Sequence, residues 1–143
     1  MKNNCIILNS VSKNELKNYL KQYKFVFLLT SYEETYPRLV SIPNYIERNR
    51  LVLKKLYLEI IQQFKKNFTK FNKLKFNKDL DFFDFSIIEE KNPFKSNAIQ
   101  NCLIFISLNI LFKKYKINEV SYNAHNKYIE IALKENEINL KIK

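Results

Sequence analysis

Apolar positions change their spacing several times along this chain, and each change marks an element. Residues 3–9 hold a short apolar run, Cys5-Ile6-Ile7-Leu8, that reads as a strand. Ser12-Lys13-Asn14-Glu15 has the form of a capping box, with Val11 ahead of it as a staple. Leu16, Tyr19, Leu20 and Tyr23 then recur at i, i+3, i+4 and i+7, which predicts a helix from 13 to 23. Lys24 to Thr30 carries Phe25-Val26-Phe27-Leu28-Leu29, rich in strand formers and apolar throughout, and reads as a buried strand. Ser31 to Pro37 is a polar turn, and Arg38 to Ile42 reads as a strand partner stopped by Pro43.

Asn49 to about Phe71 is the longest helical pattern, with Leu53, Leu56, Tyr57, Ile60, Phe64, Phe68 and Phe71 on one stripe. Asp81 to Ile88 reads as a strand with imperfect alternation, and Pro93 marks a turn. Ser96 or Asn97 caps a second helix that runs to about Tyr115, apolar nearly all round and closed by Lys113, Lys114 and Lys116. Glu119 to Asn123 reads as a strand. Lys127 to Leu133 alternates through Ile129, Ile131 and Leu133, although Tyr128, Ala132 and Leu133 also fit helical spacing. Ile138, Leu140 and Ile142 alternate with polar residues in a third strand. The expected class is α+β: a single domain over 1–143, one mixed sheet with two long helices packed on it, and a C-terminal β-meander.

Composition narrows the chemistry. The chain has no Gly and no Trp, while Lys, Asn, Ile, Phe and Tyr dominate, the usage expected of a very AT-rich genome. Without Gly there is no P-loop, no dinucleotide fingerprint and no nucleophile elbow. Backbone positions with positive φ are expected to fall on Asn. Cys5 and Cys102 are too far apart in sequence for a CxxC motif, and Cys102 reads as a small core residue. His125 is the lone histidine, a turn residue in this reading, and too few His and Cys are present for a zinc site. No apolar run is long enough to span a bilayer. The N-terminal apolar stretch is too short for a secretory core and lacks the Arg of a mitochondrial presequence, so the expected compartment is the one of synthesis. That is a mitochondrial matrix if the chain is organelle-encoded, and the cytoplasm otherwise.

Charge is uneven. The formal net charge is +11. Arg38, Arg48, Arg50, Lys54, Lys55, Lys65, Lys66, Lys70, Lys73, Lys75 and Lys78 are opposed between residues 38 and 78 only by Glu47 and Glu59. A concentrated basic segment is the electrostatic footprint of a phosphate backbone, and counterion release gives affinity without base reading. These eleven residues are the candidate RNA contacts. Phe64, Phe68, Phe71 and Phe76 are interleaved with them, and Phe64, Phe68 and Phe71 also belong to the core stripe. A basic helix face on an anionic membrane is a weaker fit, because Trp is absent.

Asp79, Asp81 and Asp84 form the one acidic cluster. On a strand, Asp81 and Asp84 face opposite sides, so they do not converge as a two-metal nuclease requires. No Ser/His/Asp set and no general acid–base pair stands at useful spacing. The chain therefore reads as a non-enzyme, with no cofactor and no metal.

Two RNA-binding families are similar to the second half. Pro93-Phe94-Lys95-Ser96-Asn97-Ala98-Ile99-Gln100 resembles the start of the long helix in the ribosomal small-subunit S-eleven family. Ile117 to Val120 stands in the place of that family's next strand, and Ala132-Leu133 followed by Ile138 and Leu140 in the place of its next helix and strand. The same region is similar to Alba-type proteins, including protein subunits of ribonuclease P. Ser96 to Ile99 stands at their helix start, and Tyr128 to Leu133 at an Ile-Glu-Ile-x-Leu strand. Both resemblances imply a basic module that binds RNA inside a ribonucleoprotein. The leading expectation is a structural ribosomal protein of a mitochondrial-type ribosome, with rRNA and neighbouring proteins as partners. The alternatives are an Alba-like subunit of an RNA-processing complex and a protein–protein accessory subunit of a large organellar complex.

Overall fold

Two apolar runs form neighbouring strands at the centre of one sheet in the computed structural model, which describes residues 3–69, 97–122 and 126–141. They are β1 (Asn4–Leu8) and β2 (Phe25–Leu28). With β3 (Leu39–Ser41), β4 (Glu119–Tyr122) and β5 (Asn139–Lys141) they lie in the order β3-β2-β1-β4-β5. Every neighbouring pair is parallel. The helices among the described residues are α1 (Lys13–Gln22), α2 (Ile42–Arg48), α3 (Arg50–Thr69), α4 (Ala98–Tyr115) and α5 (Lys127–Glu135).

Helices pack around one sheet, as the α+β reading expects, but among the described residues the sheet is neither mixed nor a meander. Parallel neighbours cannot be joined by a hairpin and need a crossover. α1 supplies it between β1 and β2, and α5 supplies it between β4 and β5. The unbroken apolar runs of β1 and β2 follow from that architecture, because helices or loops cover both faces of these strands. Alternate residues sort into two clusters. Ile6, Val26 and Leu28 meet Leu16 and Tyr23 on the α1 side. Cys5, Ile7 and Phe27 meet Leu108, Leu111 and Phe112 of α4 and Ile129 of α5 on the other. α3 packs chiefly on α4 and α2, not on the sheet.

Residues 127–133, assigned to a strand by alternation, form most of α5. Ile129, Ala132 and Leu133 are buried at helical spacing while Ile131 is exposed, so the helical period wins. Ile42, expected at a strand end, opens α2. Ser41 caps that helix by accepting from Asn44 N, and Pro43 sits in the first turn, where its missing N–H costs nothing. The capping box at Ser12 and Glu15 forms as expected. The expected strand 81–88 lies outside the described residues.

Among the described residues, positive φ does not fall on Asn. Lys116 (φ 50°) and Glu137 (φ 53°) take the left-handed conformation. Each closes a helix in the same way. Ile117 N donates to Phe112 O and Lys116 N to Lys113 O; Ile138 N donates to Leu133 O and Glu137 N to Lys134 O. These are Schellman exits, and Ile117 and Ile138 are the buried apolar residues that accompany them. Burial of the isoleucine offsets the cost of a Cβ in left-handed backbone, about 1–2 kcal/mol. Both exits lead directly into strands, and Asn139 N donates to Asn118 O across them.

Candidate functional site

The predicted basic residues occupy several settings. Arg38 precedes β3 and is exposed. Arg48 ends α2 and Arg50 begins α3, separated only by Asn49. Asn49 N donates to Tyr45 O, its side-chain amide bonds the same carbonyl at 2.8 Å, and its own carbonyl accepts from Leu53 N. This one-residue joint carries the two arginines into different grooves. Lys54 and Lys55 follow on the second turn of α3, exposed, and Lys66 is exposed near its end. Lys65 lies within α3, but its side chain is not among those described. Lys70, Lys73, Lys75 and Lys78 lie outside the described residues, as do the Asp79–Asp84 cluster and His125.

Arg48 reaches a polar groove of about 200 Å³ beside the edge strand β3. Lys114 and Tyr115, from the end of α4, share its lining with Tyr32, Tyr45, Ser41 and Asn44. The floor is locally bonded: Ser41 Oγ donates to Thr30 O at 2.9 Å, and Asn44 Nδ2 donates to Tyr32 O at 2.6 Å. The Tyr32 hydroxyl is buried and has no hydrogen-bond partner among the described residues. Lys114 Nζ lies 5.4 Å from the Tyr115 ring centroid, and that ring stacks on Phe25 at 4.5 Å and tilts against Phe27 at 6.3 Å. Glu34 also lines this groove but is committed elsewhere. It pairs with Lys13 and accepts from the Tyr36 hydroxyl at 2.8 Å. The Lys13 ammonium first, then the Tyr36 hydroxyl, hold the Glu34 carboxyl below its usual range.

Arg50 and Lys54, one helical turn apart, rim a second groove of about 630 Å³. It runs between α3 and α4, with Ile46, Leu53, Tyr57, Leu58, Ile99 and Leu103 among its walls. Leu51 is 76% exposed, Val52 60% and Leu58 44%. Composition alone could not reveal this groove, because it arises from how α3 lies on α4. The sequence signal that was available is the pair Leu51-Val52, two apolar residues set off the Leu53–Ile60 stripe. Arg50 also stands where a cation opposes the helix dipole, with Glu47 at 3.8 Å its one ion-pair partner among the described residues. Arg38, Arg48, Lys54 and Lys55 form no ion pair among the described residues. Helix stability therefore does not account for this charge.

In an open parallel sheet, ligands favour the crevice at the carboxyl ends of strands where the order reverses. Here that point lies between β1 and β4. β1 leads through Asn9-Ser10-Val11 into α1, with no glycine to admit a pyrophosphate. The described residues contain no group of three or more His, Cys, Asp or Glu able to hold a metal. No helix of the described residues is long and apolar enough to cross a membrane. Cys5 is buried, and burial drives its thiol pKa far up; Cys102 is half-buried, and its thiol is raised for the same reason. Neither has the electropositive, accessible setting of a reactive thiolate.

No family model, curated protein or solved structure matches the chain.

Proposed function

We propose that this protein is a non-catalytic, RNA-binding structural component of a ribonucleoprotein, of which a mitochondrial-type ribosome is the leading instance. The observation that carries the reading is the run of exposed cations from Arg38 through Arg48, Arg50, Lys54 and Lys55 to Lys66. Exposed cations on a rigid helix suit phosphate contact, which sets position and affinity without reading sequence. The succession α4-β4-α5-β5 also agrees with the helix and strand order implied by the small-subunit S-eleven resemblance. The Alba-type alternative draws on Tyr128–Leu133 as a strand, and α5 occupies those residues.

A second reading, a protein–protein accessory subunit, is favoured by Leu51, Val52 and Leu58, whose exposure forms an apolar patch on α3. Fluorescence anisotropy with a structured RNA hairpin separates the two. If the RNA reading holds, reversing Arg48, Arg50, Lys54 and Lys55 to Glu makes the slope of log K against log salt shallower by about 3.6, near 0.9 per lost phosphate contact. An unchanged affinity and slope would defeat it and leave the accessory-subunit reading.

A further inference from the structure

The larger groove has chemistry that RNA binding does not use. Its floor is apolar: Leu53 is fully buried there, and Ile99 and Leu103 of α4 form the opposite wall. Its rim carries Arg50 and Lys54, and among the described residues no acidic side chain lines it. Leu51 and Leu58, seven residues apart on α3, are both exposed and continue the apolar surface outward. Phosphates would meet the two cations but would leave the leucines uncovered.

We propose that the groove between α3 and α4 docks an acidic amphipathic helix of a partner protein. Charge complementarity selects this occupant. A helix laid in the groove offers apolar side chains at i, i+3, i+4 and i+7 to the floor and carboxylates on its flanks to Arg50 and Lys54. The stretch from Arg50 to Leu58 is about 12 Å long at 1.5 Å per residue, enough to seat two turns. A second copy of this chain is a poor occupant, since pairing this face with itself sets Arg50, Lys54 and Lys55 against their equivalents. A lipid surface is matched by a convex apolar stripe on a helix, whereas Leu53 lies at the bottom of a recess.

The proposal does not depend on the RNA reading, and its test is separable from it. The full chain is used to select from a library of helix-forming sixteen-residue peptides. All share one apolar stripe and differ only in flanking charge. The expected result is enrichment of peptides flanked by Glu and Asp, with affinity falling at least tenfold in L51E/L58E. Both leucines are exposed, so that variant should keep its fold, checked by circular dichroism; the neutral L51S/L58S variant, which puts no charge beside Arg50 and Lys54, should lose peptide affinity as well while keeping its hairpin affinity. Enrichment of neutral or basic peptides, no enrichment, or acidic peptides indifferent to L51E/L58E would overturn the proposal. So would concentration-dependent dimerisation abolished by L51E/L58E, or capture by anionic phosphatidylglycerol vesicles without peptide selection.

Discussion

α4 and α3 are of similar length and lie against each other, yet they are built for opposite ends. α4 buries Ile106, Ser107, Leu108, Leu111 and Phe112 and touches the sheet cluster from Ile104 to Tyr115. α3 has one fully buried side chain among those described, Leu53, and displays Leu51, Val52 and Leu58 between its cations. Apolar residues on α4 are spent on the fold, and a good share of those on α3 are not. The contrast teaches that the apolar content of a helix does not by itself say what the helix is for. What it packs against decides that.

The sharpest way to break the comparison is at Phe112, which stacks on Phe27 of β2 with centroids 6.1 Å apart. Phe112→Ala should cost about 3–5 kcal/mol in urea unfolding, and a loss under about 1 kcal/mol would mean that α4 is not the core helix. Next comes the contrast within α3. Leu53→Ala should cost about 2–3 kcal/mol, toward the low end for a leucine because α3 packs from one side only. Leu58→Ala should stay within about 0.5 kcal/mol. Equal losses at the two positions would erase the distinction drawn here.

The α4 side of the sheet also seals Cys5. Above the ordinary thiol pKa of 9.0 the unfolded chain releases this proton while the folded chain, its pKa raised by burial, keeps it. The unfolded state then binds fewer protons, so stability is full below pH 9 and falls as pH rises, by about 1.4 kcal/mol per pH unit. Urea midpoints at pH 8.5 and 10.5 check this, and Cys5→Ala should remove that part of the slope. The smallest effect is expected at the end of α4. Lys116→Gly relieves left-handed strain and should raise stability by about 1 kcal/mol. Thermal unfolding that shows no gain would mean the Lys116 side chain contributes something glycine lacks.

Much of the first third was legible. Cys5-Ile6-Ile7-Leu8 and Phe25-Val26-Phe27-Leu28 are apolar on both faces because both faces are covered, and the Ser12–Glu15 box announced α1. α4 was legible for the same reason, as a helix apolar all round ending in lysines. α2 was hidden because Pro43 after a short apolar run reads as a stop, although Ser41 two residues ahead is a helix cap. α5 was hidden because Ile129, Ile131 and Leu133 alternate by coincidence, and only the exposure of Ile131 separates the two periods. Strand direction was not legible at all. It is a property of the connections, and period two is the same for parallel and antiparallel strands. At the candidate site the charge was visible in sequence. The grooves were not, because each joins residues of α2 or α3 to residues of α4 some forty or more positions away.

Among the described residues the sheet ends on both sides in strands of three residues, β3 and β5. An edge that short gives an incoming backbone only about one or two hydrogen-bond pairs to grip. Growth by strand addition therefore has little to start from. The faces left for lasting contact are helical, and a neighbour must be recognised by its side chains.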